Sequence, residues 1–109
     1  MTNYSSTYTV NVRDQKFNIE LMNGGNGDPV LYIHGADGFP KWENYLDTLA
    51  ESFSVYVPAH PGVSNSTGLD ELDNLWDLIL FYDELIDALN LTSVHLIGHS
   101  YGGMIAAEI

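Results

Sequence analysis

The stretch HLIGHSYGG, residues 95–103, constrains the fold more than any other part of this chain. An apolar run suited to a strand, Ser93–Ile97, ends in a corner of small residues, and GGMIAAEI then begins a helix. Gly98-His99-Ser100-Tyr101-Gly102 fits G-x-S-x-G at a strand-to-helix turn. Glycines are needed there because the turn leaves no room for side chains facing the neighbouring backbone. Such a corner lifts Ser100 to the carboxyl end of a sheet, where the start of the next helix offers N–H groups and a favourable dipole to an oxyanion.

The rest of the chain supplies the sheet that this corner requires. Tyr8–Val12 and Lys16–Met22 read as an antiparallel pair, with Phe17, Ile19 and Leu21 alternating onto one buried face. NGGNGD (23–28) reads as a turn, because a strand and not a helix follows its glycines. Pro29–Ile33 is continuously apolar, as a strand buried on both faces is. Trp42, Tyr45, Leu46, Leu49, Ala50 and Phe53 mark one face of a helix with Pro40 near its first turn, and Phe53–Val57 is a further strand. Leu72, Leu75, Trp76, Ile79, Tyr82, Ile86 and Leu89 predict a long amphipathic helix capped by Asp70. Trp42 and Trp76 are expected as core anchors. Strand and helix alternating three times is the pattern of a parallel sheet with helices on both faces, read here as one piece of one domain over residues 1–109.

Composition removes several classes of function. Three Lys and Arg stand against fifteen Asp and Glu, a formal charge of −12, which disfavours nucleic acid and anionic membranes as partners. The chain has no cysteine, so disulfides and thiolate chemistry are excluded, and its four histidines lack metal-ligand spacing, so no metal is expected. MTNYSSTYTV has no basic end followed by an apolar run, and no apolar stretch reaches membrane-spanning length; a cytoplasmic location is the expectation.

His34-Gly35 after the strand Pro29–Ile33, PAHPG (58–62) after the next strand, and GHSYGGM (98–104) after the last appear in the order of the α/β-hydrolase family, which this sequence resembles from about Gly24 onward. The resemblance implies an α/β fold in which the chain is the N-terminal part of a mostly parallel sheet flanked by helices, ordered 1-2-4-3-5 and truncated after the nucleophile elbow. It implies Ser100 as nucleophile and the backbone N–H of Tyr101 as one oxyanion donor. The second donor comes from the loop after His34-Gly35, with the N–H of Ala36 chosen and Asp37 as the nearby alternative. His34, Gly35, Gly98, His99 and Gly102 support the motif, and no cofactor is needed. In the family PG continues as G-x-G-x-S; here Ser64 stands in place of a glycine.

A serine needs a base, and in this family the triad acid and histidine follow the serine in chain order. Only nine residues follow Ser100, Glu108 being their one acid, so the triad is expected to be incomplete, with the lid and later strands absent. His34 is expected to make a structural hydrogen bond, and none of the four histidines is expected to serve as base. The reading is an acyl-transferring serine hydrolase acting on a small ester-like substrate, with haloperoxidase and acyltransferase chemistry sharing the same elbow. The rival from another class is a non-catalytic fragment or binding module, its last strand an open edge available for self-association or complementation. A nucleotide-binding domain ranks last, because HGADGFPKW lacks G-x-G-x-x-G spacing.

Overall fold

Alternating apolar residues draw the first two strands into a hairpin. The computed structural model describes residues 4–35 and 38–109. Strand β1 (Tyr4–Val12) pairs antiparallel with β2 (Phe17–Gly24), bringing Val10 opposite Ile19 and Val12 opposite Phe17. Phe17, Ile19 and Leu21 are completely buried. The Arg13 guanidinium grips Glu84 with two hydrogen bonds of 2.8 and 2.9 Å, and also lies 5.0 Å from the centre of the Phe17 ring, tying the hairpin to a helix behind it.

The remaining elements are β3 (Asp28–Ile33), α1 (Asn44–Leu49), β4 (Phe53–Pro58), α2 (Leu75–Ala88), β5 (His95–Gly98) and α3 (Tyr101–Glu108). The sheet order is β1-β2-β4-β3-β5. The expected order is therefore present. β2 and β4 pair antiparallel, while β3 is parallel to both β4 and β5, so the sheet is mixed and its parallel half carries the corner. One face of the sheet packs on α2 and α3, through Leu31, Ile33, Phe81, Tyr82, Leu85 and Ile105. The opposite face packs on α1, through Met22, Tyr32, Leu46, Val55 and Val57. Alternation along β3 sends Leu31 and Ile33 to the first layer and Tyr32 to the second, which is why that strand reads as apolar throughout.

Three local expectations are corrected. Asp70 does not cap the long helix. It lies in a short 3-10 turn (Leu69–Glu71), and the cap of α2 is Asn74, whose side-chain oxygen accepts from the Asp77 N–H at 3.0 Å. Trp76 is not a core anchor, being 65% exposed: the buried face of α2 runs through Leu78, Ile79, Phe81, Tyr82 and Leu85, and Trp76 and Leu80 share the outer side. The first helix is shorter than its apolar spacing predicts and starts at Asn44, which leaves Pro40 ahead of it. Trp42 also precedes α1; it packs against the second core layer and donates from Nε1 to Asp47 at 3.0 Å.

Candidate active site

Parallel pairing of β3 with β5 sets Ile33 beside Gly98, so the two strands end together at the same rim of the sheet. One more backbone bond, from the His99 N–H to the Ile33 carbonyl at 3.1 Å, holds the chain as it turns. Ser100 then takes φ 57° and ψ −117°, a conformation that side-chain-bearing residues seldom adopt and that costs about 1–3 kcal/mol. Helix α3 starts at the next residue. Its first turn is closed by the Gly102 N–H on the His99 carbonyl and the Gly103 N–H on the Ser100 carbonyl, both 2.9 Å, and neither bond uses the Tyr101 N–H. The Ser100 hydroxyl makes no capping hydrogen bond, and the residue is exposed.

The glycines on either side have no room for a side chain. A Cβ on Gly98 would stand 2.3 Å from the Gly102 carbonyl oxygen, and one on Gly102 would stand 2.0 Å from that of Ile33. Both contacts are with backbone, which cannot rotate away.

Next to the corner, His34 and His60 form a buried couple with ring centroids 3.8 Å apart. The His60 N–H donates to His34 Nε2 at 3.0 Å, which leaves His34 Nδ1–H to donate to the Gly35 carbonyl at 2.8 Å. His60 Nε2–H donates to the His34 carbonyl at 2.8 Å, and His60 Nδ1 accepts from the Tyr82 hydroxyl at 2.5 Å. These tautomers are assigned from the bonding pattern. Burial, with His34 alongside, pushes the His60 pKa down to about 4, and burial pushes the Tyr82 phenol well above its ordinary value. The His60 ring is thus neutral near pH 7, and every ring nitrogen of the couple is engaged.

The loop after β4 departs from the G-x-G-x-S pattern at Ser64, and the structure accommodates the change. Ser64 sits in the left-handed region at φ 52°, where glycine is ordinarily favoured. Its hydroxyl donates to Glu20 at 2.6 Å, and the same carboxylate oxygen accepts from the Asn65 N–H at 3.1 Å, which holds the Glu20 pKa below the usual carboxylate range. Ser66 bridges the Glu20 N–H and the Ala59 carbonyl.

A cleft of about 820 Å³ opens on the α1 side of the rim, walled by Tyr32, Phe39, Tyr45, Ile97 and His99, with Lys41 and Glu43 at its polar margin. Its wall reaches His99 but does not include Ser100. Of the residues singled out from sequence, His34, Gly35, Gly98, His99, Ser100, Tyr101 and Gly102 are brought to this rim. Ala36 and its alternative Asp37 lie outside the described residues. His95 is at the other end of β5, its ring 6.0 Å from that of Phe53. Among the described residues, no histidine or carboxylate hydrogen-bonds the Ser100 hydroxyl and no group of three His, Asp or Glu side chains could hold a metal ion; none of the helices is long and apolar enough to cross a membrane. Tyr82 is the participant that sequence reasoning placed only as one of a helix's apolar positions. Its periodicity identifies a buried face and says nothing of what the hydroxyl reaches.

A mixed sheet whose parallel half ends in a strand that turns through a strained serine into a helix defines the α/β-hydrolase class of corner. The alpha/beta hydrolase fold family matches residues 28–109, and the chain belongs to it. It is similar to the dihydrolipoyllysine-residue acetyltransferase component of an acetoin cleaving system from Cupriavidus necator, with 32% identity over 87 residues, 79% of this chain and 23% of that protein. It is also similar to a 2-hydroxy-6-oxo-6-phenylhexa-2,4-dienoate hydrolase from Burkholderia cepacia, with 31% identity over 107 residues, 91% of this chain and 37% of that protein. Among solved structures, a membrane phospholipase A described as a bacterial virulence factor superposes with a TM-score of 0.82 at 25% identity, over 97% of this chain and 34% of that one. The chain spans less than two-fifths of the length of these relatives.

Proposed function

We propose that this chain carries the nucleophile half of a serine hydrolase that acts on an ester or related carbonyl substrate through an acyl-enzyme. The observation that carries the reading is the Ser100 corner: a strained, exposed serine with an uncommitted hydroxyl, between two glycines that admit no side chain. Natural chains keep such strain where it serves chemistry. In the proposed step a base takes the Ser100 proton while Oγ bonds to the substrate carbonyl carbon. The resulting oxyanion is held by the Tyr101 N–H and, from the loop after Gly35, by that of Ala36 or Asp37, each such donor contributing about 3 kcal/mol. Collapse expels the alcohol, and water then releases the acid.

The base and its acid partner are proposed to come from outside these 109 residues. His34 and His60 have no free ring nitrogen, His95 lies at the far end of its strand, and His99 is next to Ser100 in the turn. The test is fluorophosphonate labelling of the chain alone and of a fusion carrying the remaining residues of the Burkholderia cepacia relative. The expectation is slow labelling alone, fast labelling of the fusion, and none in either with Ser100→Ala. A folded fusion that leaves Ser100 unlabelled overturns the reading. A second reading, a non-catalytic binding module, is favoured by one observation: β5 pairs with β3 along one side and is the end strand of the sheet. An unlabelled fusion would leave that reading standing.

A further inference from the structure

We infer that Tyr82 is a positioning residue: its hydroxyl donates to His60 Nδ1 and holds the ring against the His34 carbonyl, and His60 in turn clamps the His34-Gly35 turn at the rim of the sheet. The importance of that turn for catalysis rests on the function proposed above; the clamp itself does not.

Four hydrogen bonds connect Tyr82, His60, His34 and Gly35. The Tyr82 side chain is completely buried on α2, and its O–H has a lone pair to meet only if His60 Nδ1 carries no proton. The His34 carbonyl can only accept, so the His60 proton sits on Nε2 and Nδ1 is left to accept from Tyr82. The opposite tautomer would set two lone pairs against each other at the His34 carbonyl, whereas the Tyr82 hydroxyl could turn to accept, so it is the carbonyl that fixes the tautomer. The His60 backbone N–H completes the grip by donating to His34 Nε2, and this fixes the His34 proton on Nδ1, facing the Gly35 carbonyl. One phenol on a helix therefore satisfies the buried His60 Nδ1 and, through the His60 ring, holds the orientation of one loop.

The clamp also touches the corner. The His34 carbonyl that receives the His60 proton lies 2.7 Å from where a Cβ on Gly102 would stand, so this oxygen is wedged between the His60 ring and the first turn of α3. A released His60 would free the His34 carbonyl on the side away from Gly102 and let the turn drift from the elbow.

Nitrogen-15 NMR of the imidazoles in the 109-residue chain, wild type against Tyr82→Phe, tests this. The wild type is expected to show His60 purely as the Nε2–H form near pH 7. The variant should keep the Nε2–H form but shift the Nδ1 resonance downfield, that nitrogen having lost its donor, with amide exchange at Gly35 and His99 accelerated about tenfold, the effect of one lost buried hydrogen bond. Amides of the β1–β2 hairpin should be unmoved. A wild-type His60 protonated on Nδ1 overturns the inference, and this result needs no folded variant. A folded variant with the wild-type Nδ1 resonance and the wild-type exchange rates overturns it as well. Fluorophosphonate labelling of the fusion separates the two proposals: a shifted His60 signature without labelling sinks acyl transfer and keeps the clamp, whereas an unmoved signature sinks the clamp whether or not Ser100 labels.

Discussion

Ile33 and Gly102 are in direct backbone contact: a Cβ on Gly102 would stand 2.0 Å from the Ile33 carbonyl oxygen. The same oxygen accepts the His99 N–H. The end of β3 and the start of α3 thus lock together without a side chain between them, and the closeness of that lock forces the strain into Ser100. Gly102→Ala must push α3 off the sheet or break the His99 bond. We expect a loss of about 3 kcal/mol or more, within the range of severe overpacking. Urea denaturation of Gly102→Ala beside Gly103→Ala gives the check, because a Cβ on Gly103 meets nothing nearer than 3.4 Å and should be tolerated.

Relieving the strain should stabilise the chain. Ser100 has φ 57° with ψ −117°, and glycine adopts such angles at little steric cost. Ser100→Gly is expected to raise stability by about 1 kcal/mol, the released strain exceeding the added freedom of the unfolded chain. A raised urea midpoint together with lost labelling in the fusion would be the stability–activity trade-off expected of a functional serine. A lowered midpoint would mean that the serine holds the corner together.

The corner and the sheet order were legible in the sequence for a physical reason. A parallel strand buried on both faces must be apolar throughout, as Val30–Ile33 is, and a turn this tight admits only glycine at positions 98 and 102. The helix limits were less legible. Asp70 and Asn74 are both good caps by residue type, and what decides for Asn74 is the intervening 3-10 turn, whose place depends on how the chain leaves the β4 loop. Trp76 misled because an aromatic at helical spacing counts toward a face from either of its edges. The clamp was illegible altogether: His34, His60 and Tyr82 meet through tertiary packing across 26 and 22 positions, and no local pattern records such a meeting.

Ser64 gives a test of how a missing glycine is compensated. Its left-handed backbone is held by the bond to Glu20, whose carboxylate also accepts the Asn65 N–H. Glu20→Ala should therefore destabilise the chain by about 1–2 kcal/mol. In a Ser64→Gly background the loss should be smaller, since the backbone there no longer needs holding. Equal losses in both backgrounds, measured as a double-mutant cycle in urea, would show that Glu20 acts without Ser64.

Acid should destabilise the fold through His60. His60 takes a proton near pH 6.5 in the unfolded chain but only near pH 4 when folded, because burial and the neighbouring His34 disfavour the charged ring. Tyr82 and Tyr101 also face it, and burial, which raises the Tyr82 pKa, keeps that phenol uncharged at these pH values. Between the two pKa values the unfolded chain holds more protons, so this contribution to stability is complete above pH 6.5, falls as the pH drops through that window, and is gone below about 4. At about 1.4 kcal/mol for each pKa unit the window amounts to about 3 kcal/mol. Carboxylates such as Glu20, with its lowered pKa, add losses of their own as acid protonates them. The comparison that isolates the imidazole is therefore wild type minus His60→Gln, in urea midpoints converted to free energy from pH 7 down to 4. That difference should shrink steadily across the window, because the glutamine side chain has no proton to gain. A difference that stays constant with pH would mean that the folded protein accommodates a charged His60, and the Tyr82 hydroxyl would then have to turn and offer the ring its lone pair instead of its proton.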